Sequence, residues 1–85
     1  MIKLELEQTD DVLSTINKIK NISDLNIELV IPEESVLFEN ILNLKLIHQQ
    51  ADKMEKSVEF STTDEFGTVL LDILAGKDVE RIPED

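Results

Sequence analysis

The sequence predicts an α/β domain in which three strands and three helices alternate in the order βαβαβα. Segments with apolar residues at every second position alternate with segments whose apolar residues recur at helical spacing. Two strands that are joined through a helix are normally parallel and connected by a right-handed crossover. Because 85 residues suit one domain, we predict a single domain at 1–76 with a three-stranded parallel sheet, followed by a short, frayed acidic tail at 77–85.

The first half of the chain contains two predicted strands and one helix. Apolar and charged residues alternate over residues 2–7, which is typical of a strand with one buried side. The carboxylates near Asp10 can cap a helix over 10–20, because they accept hydrogen bonds from the free N–H groups at a helix start. A run rich in β-branched residues at 27–31 predicts the second strand, and the proline that follows ends it.

The second half contains two predicted helices around a third strand. Ser35 can cap a long helix that runs to about Met54, and the third strand is expected at 57–61. The Thr-Thr-Asp-Glu run at 62–65 fits a capping box, in which threonine and glutamate side chains satisfy backbone donors. The residues predicted to be buried are Leu37, Ile41, Leu44, Ile47, Ala51 and Met54 in the long helix, and Phe66, Val69, Leu70, Ile73 and Leu74 in the last helix.

The strands place apolar residues on one side of the sheet and charged residues on the other. The apolar side consists of Ile2, Leu4, Leu6, Ile27, Leu29, Ile31, Val58 and Phe60, and the opposite side carries Glu5, Glu28 and Glu59. This division favours a two-layer sandwich with sequential strand order and helices mainly on one face. Since parallel sheets are usually covered on both faces, a doubly wound arrangement is the alternative.

The composition argues against several classes of partner. The chain carries 8 basic and 19 acidic residues, and its net charge of −11 opposes nucleic acids and anionic membranes, which attract clustered lysine and arginine. It contains no cysteine for a disulfide or a zinc–thiolate site. The sequence shows neither a signal-peptide pattern nor an apolar run of the ~20 residues that span a bilayer. We therefore expect a cytoplasmic protein with no nucleic-acid or membrane partner.

Polar residues follow the first and third predicted strands directly. Asp10 and Asp11 come after the first strand, and Thr62 and Asp64 come after the third. The carboxyl ends of parallel strands meet at one edge of the sheet, where α/β proteins often bind ligands. These oxygens could form a Mg²⁺ or small-ligand site, or they could cap helices and complement the helix dipoles. We favour helix capping, and we predict no bound metal and no cofactor.

The sequence contains no complete catalytic set. His48 is the single histidine, and a general base needs an orienting acid and a nucleophile beside it. Phosphate binding requires a glycine-rich turn after the first strand, and the chain has only Gly67 and Gly76. We attribute Gly67 to close packing at the start of the last helix, and Asn40 and Asn43 to hydrogen bonds with a neighbouring loop. We therefore predict that the protein is not an enzyme and has no catalytic residue.

Glu5, Glu28 and Glu59 form a candidate interaction face. If all three point outward, carboxylates on neighbouring strands lie ~5 Å apart and repel one another. Such a face either tolerates this repulsion in solvent or binds a basic protein, and a second copy of the chain could also cover it. Our leading hypothesis is a small protein-interaction module. The alternatives are an acidic inhibitor that imitates nucleic acid toward a basic protein, and a half-domain that binds a small ligand or Mg²⁺.

Six stretches of the sequence carry a family resemblance: Asp10-Asp11, Ile16–Lys20, Asn26–Pro32, Asn43–Leu46, Ala51–Lys53 and Thr63–Gly67. In this order they resemble an uncharacterised Rossmann-like half-domain family of hypothetical bacterial proteins, over about residues 8–76. The resemblance implies a parallel α/β fold and no particular activity. The chain departs from the family at Glu55, where the family tends to have glycine, and in its less apolar third strand. The second departure puts the doubly wound arrangement in doubt.

Overall fold

The computed structural model describes residues 1–76, and the predicted acidic tail at 77–85 lies outside the described residues. The six predicted strands and helices are all present and in the predicted order, with one additional 3₁₀ turn before the second helix. The elements are β1 (Ile2–Glu5), α1 (Val12–Lys20), β2 (Asn26–Ile31), the 3₁₀ turn (Val36–Glu39), α2 (Ile41–Lys53), β3 (Ser57–Thr62) and α3 (Glu65–Leu74).

The three strands form one parallel sheet in the order β1-β2-β3, which confirms the predicted α/β class and sequential strand order. Leu4 lies beside Leu29 in the register, and Leu29 lies beside Phe60. The apolar side of the middle strand is fully covered, because Ile27 and Leu29 are 0% exposed. The helices bury Ile19, Leu44, Ile47 and Leu70 in the same cluster. Since α2 packs between α1 and α3, the arrangement is that of a two-layer α/β sandwich.

The prediction of one long helix from Ser35 to Met54 is wrong, because the helix is interrupted at Asn40. The hydroxyl of Ser35 caps only the short 3₁₀ turn, by accepting a hydrogen bond from the Leu37 N–H at 3.1 Å. Asn40 then adopts an extended conformation, and its side-chain oxygen accepts a hydrogen bond from the Leu42 N–H at 2.9 Å. An asparagine side chain that binds a nearby backbone donor competes with the helix and starts a new one.

The prediction for α3 is wrong in two respects. Phe66, Val69 and Ile73 are 60%, 48% and 40% exposed, whereas Leu70 is buried as predicted. The reason is tertiary, because the apolar residues of α3 form a broad face. Within residues 1–76, the neighbouring α2, β3 and 3₁₀ turn cover the part of that face that includes Leu70. The helix cap also differs from the predicted threonine–glutamate box. Asp64 is the N-cap residue, and its Oδ1 accepts a hydrogen bond from the Gly67 N–H at 2.7 Å.

The structure explains why Gly67 is a glycine and shows that Glu55 has an unfavourable backbone conformation. A Cβ atom on Gly67 would lie 2.4 Å from Cζ of Phe38, so the attribution of this glycine to close packing is confirmed. Glu55, which follows α2, has a φ of 60°. This left-handed conformation favours glycine, because side chains with a Cβ are strained there. A glutamate at this position therefore leaves a strained residue directly after α2.

Candidate functional site

The sheet face opposite the helices carries the charged residues of all three strands. Leu4, Leu29 and Phe60 belong to the core side, so the residues that alternate with them point away from the helices. In the register, Lys3 lies beside Glu28, and Glu28 lies beside Glu59. Neighbouring strands are about 4.8 Å apart, so Glu28 and Glu59 place two negative charges side by side. We call the side formed by Lys3, Glu5, Glu28, Val30 and Glu59 the open face.

The register separates Glu5 from the other two glutamates of the candidate interaction face. Glu5 lies beside Val30, two residues further along the strands than the row of Glu28 and Glu59. The position beside Glu28 on β1 is occupied by Lys3, which is exposed and positively charged. The predicted group of three neighbouring carboxylates is therefore a pair with a lysine on one side. The strongest negative potential on this face is expected at Glu59, on the side away from that lysine.

Asp10, at the end of the first strand, is engaged within the protein. Its Oδ2 accepts hydrogen bonds from the Glu7 N–H at 2.8 Å and from Nζ of Lys18 at 2.6 Å. Its Oδ1 accepts a hydrogen bond from the Ser14 hydroxyl at 2.9 Å. Burial would by itself raise the pKa of Asp10, but the Glu7 amide, Lys18 and Ser14 outweigh burial and hold the pKa below its usual value. The Asp10 carboxylate therefore holds the loop between β1 and α1 in place.

The other three residues of the predicted strand-end site also have local roles. Asp11 caps α1, where its Oδ1 accepts a hydrogen bond from the Ser14 N–H at 2.9 Å. The Thr62 hydroxyl accepts a hydrogen bond from the Asp64 N–H at 3.1 Å. Asp64 accepts hydrogen bonds from the N–H groups of Glu34 and Gly67, which lower the pKa of its carboxyl group. All four side chains thus shape turns or helix starts.

The strand-end residues do not converge on one point. The loop after β2 joins the other two loops, because the Glu33 carbonyl accepts a hydrogen bond from the side chain of Gln8 at 2.9 Å, and the Glu34 N–H donates to Asp64 at 2.9 Å. The order β1-β2-β3 nevertheless leaves two strand spacings, about 10 Å, between the ends of β1 and β3. Within residues 1–76, no group of three or more histidine, aspartate or glutamate side chains is placed to hold a metal ion.

His48 and the two asparagines of α2 were the remaining polar candidates. Nδ1 of His48 lies 3.6 Å from Oδ2 of Asp52, and these side chains are 52% and 69% exposed. An exposed pair of side chains at this distance contributes little to the stability of the protein. Asn43 donates a side-chain hydrogen bond to the Leu37 carbonyl at 3.3 Å, and Asn40 caps α2. Asn43 therefore bonds to the preceding 3₁₀ turn, whereas Asn40 caps α2 itself and does not bond to a neighbouring loop as predicted.

A groove of about 660 Å³ lies beside β3. Its walls come from β3, from Leu71, Leu74 and Ala75 on α3, and from His48 on α2. Sequence reasoning missed this groove, because the spacing of apolar residues does not show how closely α3 packs against β3. The available signal was the strand order, since the last strand of a sequentially ordered sheet has a neighbouring strand on one side only.

Comparisons of the chain with models of protein families, with curated proteins and with solved structures give no match. The resemblance to a Rossmann-like half-domain family therefore stays a prediction. The helices described within residues 1–76 include none with the length and apolar character to cross a membrane.

Proposed function

We propose that the protein is a small, non-enzymatic protein-interaction module that binds a basic surface of a partner protein through the open face. The observation that carries the proposal is the uncovered side of the middle strand. Parallel sheets are usually buried on both faces, but here Ile27 and Leu29 are fully buried while Glu28 and Val30, on the other side of the same strand, are half-buried. A partner that covers the open face would complete this sheet.

Charge specifies the chemistry of that partner. Glu28 and Glu59 lie side by side on neighbouring strands, and the chain has a net charge of −11. A lysine or arginine placed between the two carboxylates relieves their mutual repulsion. Acidic faces of this kind attract basic partners over long distances and in a salt-dependent manner. This reasoning also favours a partner protein over a second copy of the same acidic chain.

The polar residues outside the open face support a binding role over a catalytic one. The carboxylates of Asp10 and Asp64 accept hydrogen bonds from backbone and side-chain donors of the protein itself. His48 is exposed and faces Asp52 at a distance beyond a normal hydrogen bond. These groups have structural explanations, so they supply no argument for a metal-dependent or acid–base reaction.

A narrower form of the proposal is that the open face imitates nucleic acid and occupies a DNA- or RNA-binding protein. The specific observation in its favour is the pair of adjacent carboxylates, Glu28 and Glu59, on a highly acidic chain. Competition distinguishes the two forms. A duplex oligonucleotide displaces the protein from such a partner, whereas a partner with an unrelated basic surface retains it at the same salt concentration.

The test uses a lysine-rich peptide as the probe of a basic surface, with binding measured by fluorescence anisotropy at low and high salt. The Glu28→Gln/Glu59→Gln variant removes the carboxylate pair. The matched control, Glu39→Gln/Glu65→Gln, removes the same amount of charge from exposed positions on the helical side. We expect the first variant to weaken binding by about tenfold or more, because it removes a charge pair from the contact, and the control to change it by less than about threefold.

Equal weakening by the two variants would show that only net charge matters, and it would contradict a role for the open face. Binding that does not change from low to high salt would also contradict the proposal, because attraction between exposed charges is screened. The free energy of unfolding supplies a second check. Glu28→Gln is expected to stabilise the free protein slightly by relieving repulsion, and a clear loss would identify an internal partner for this carboxylate.

A further inference from the structure

One edge of β3, which we call the free edge, presents backbone hydrogen-bonding groups that no strand within residues 1–76 pairs with. Among the described residues, β2 is the only strand that pairs with β3. The Ser57 N–H donates a hydrogen bond to the Leu25 carbonyl on the β2 side at 2.7 Å. Successive residues of a strand direct their N–H and C=O groups to opposite sides. Glu59 and Ser61 therefore also face β2, whereas Val58, Phe60 and Thr62 direct their main-chain groups to the free side.

Within residues 1–76, this edge lacks several of the features by which proteins protect edge strands. Those features are proline, lysine, a β-bulge and a very short strand, whereas Glu59 is the one charged side chain of β3. β3 contains neither proline nor lysine, and its register with β2 is unbroken from Ser57 to Thr62. The other edge strand, β1, has four residues and carries Lys3. The two edges thus differ, and β3 is the one suited to accept another strand.

The groove beside β3 has room for the side chains of an added strand. Its volume of about 660 Å³ is that of a typical ligand pocket, and Leu71 and Leu74 contribute apolar wall on the helical side. On the opposite side of the sheet, an added strand would lie next to Glu59. Because side chains of a strand alternate between the two sides, apolar residues would enter the groove and the residues between them would lie beside an acidic row.

We propose that the free edge of β3 binds an extended segment of a partner protein as a fourth strand, and that this segment alternates apolar with basic residues. The inference rests on the proposed protein-binding function and identifies the form of the partner. Backbone hydrogen bonds to Val58, Phe60 and Thr62 supply affinity, and the alternation of the segment supplies specificity. A second copy is a poor occupant, because pairing two β3 edges would bring the Glu59 side chains of two acidic chains together.

The test measures backbone amide hydrogen exchange of the full chain by NMR with a synthetic ten-residue peptide of alternating valine and lysine. A peptide of the same composition, with its valines and lysines in two blocks, is the matched control. We expect the alternating peptide to slow exchange at Val58, Phe60 and Thr62 by about tenfold or more, because these amides gain a partner. The amides of Glu59 and Ser61 should change less, and the block peptide should leave all five unchanged.

A variant provides an independent readout. Val58→Pro removes one N–H on the free side, where proline is compatible with an edge strand. We expect it to fold and to weaken binding of the alternating peptide by about tenfold while leaving the block peptide unaffected. Because the Val58 side chain also packs against the core, a variant that fails to fold leaves the decision to the hydrogen-exchange comparison of the two peptides: equal protection of the five amides by both peptides would overturn the inference.

The outcomes separate this inference from the proposed function. One outcome would overturn strand addition and leave the open face as the binding surface. In that outcome both peptides bind equally well, neither slows exchange at the edge amides, and the Glu28→Gln/Glu59→Gln variant no longer binds them. Absence of binding by either peptide at low salt would overturn both. Protection of Val58, Phe60 and Thr62 without peptide would also overturn the inference. If this protection depends on protein concentration, another copy of the chain occupies the edge. If it does not, a segment of the same chain occupies the edge.

Discussion

Replacement of Gly67 by alanine tests the packing of α3 on the rest of the protein. In an open helix this change stabilises, because alanine has a higher helix propensity than glycine by about 1 kcal/mol. Here the added Cβ would lie 2.4 to 2.8 Å from three ring atoms of Phe38, whereas carbon atoms in contact are normally about 3.5–4.0 Å apart. Phe38 is 5% exposed, so its ring cannot move into solvent. Overpacking of this kind costs about 1–3 kcal/mol.

We therefore expect Gly67→Ala to lower the free energy of unfolding by up to about 2 kcal/mol, because a clash of about 1–3 kcal/mol offsets or exceeds a gain in helix propensity of about 1 kcal/mol. Urea denaturation followed by circular dichroism gives this value, and the midpoint temperature should fall by about 4–8 °C per kcal/mol in a domain of this size. Phe38→Leu supplies the control, since it removes the three ring atoms. In that background Gly67→Ala should be neutral or stabilising. A stabilising effect of Gly67→Ala in the wild-type protein would refute the reasoning.

Three further substitutions test the core and the loop after β1. Leu44→Ala should destabilise by about 2–5 kcal/mol in urea denaturation, because Leu44 is 0% exposed; a loss below ~1 kcal/mol would mean that the buried side of α2 is misassigned. Thr15→Val should be neutral or stabilise by up to about 1 kcal/mol in the same assay, because the buried Thr15 hydroxyl has no hydrogen-bond partner within residues 1–76. A clear loss of stability would reveal such a partner. Asp10→Asn should destabilise by about 1–3 kcal/mol at neutral pH. Because the pKa of Asp10 is lowered in the folded state, its contribution is present above about pH 4 and is lost as the pH falls through the folded-state pKa. The difference between wild type and Asp10→Asn should therefore shrink in acid, and a constant difference would contradict the charge-dependent role of Asp10.

The strands could be predicted from the sequence because each has one apolar side. Ile27, Leu29 and Ile31 alternate with less hydrophobic or charged positions, and a one-residue shift of the register would expose all three. The same alternation identified the side of the sheet on which the helices of residues 1–76 do not pack. Connections through helices made the strands parallel, and the single apolar side favoured sequential strand order over the doubly wound alternative.

The interruption of the predicted long helix and the exposure of apolar side chains on α3 could not be predicted from the sequence. Both depend on neighbouring elements that the spacing of apolar residues does not reveal. Leu37 and Leu44 are buried on both sides of the interruption at Asn40, so the helical spacing of buried residues continues through a position that is not helical. The exposure of Phe66 and Ile73 depends on how far α2 and β3 extend beside α3. The apolar face of α3 is broad, and its width in the sequence does not show which part of it the neighbouring elements will cover.

The candidate site, too, could be predicted from the sequence only in part. The pattern of charges placed Glu28 and Glu59 together on the open face, but only the register showed that Glu5 lies beside Val30. Sequence reasoning also gathered Asp10 and Asp64 at one edge of the sheet. It could not show that their oxygens are engaged by Lys18, Glu34 and backbone donors, because these contacts depend on loop conformation.

The reactivity of single cysteines tests most directly whether one side of the sheet is free of helices. The chain has no native cysteine, so Val30→Cys and Leu29→Cys place one thiol on each side of the middle strand. We predict that the thiol at position 30 reacts with a maleimide within about tenfold of the rate of an unfolded control, and that the thiol at position 29 reacts only through unfolding, at least about a hundredfold more slowly. Equal protection at positions 29 and 30 would show that both sides are covered, and it would contradict the open face and the binding proposals that depend on it.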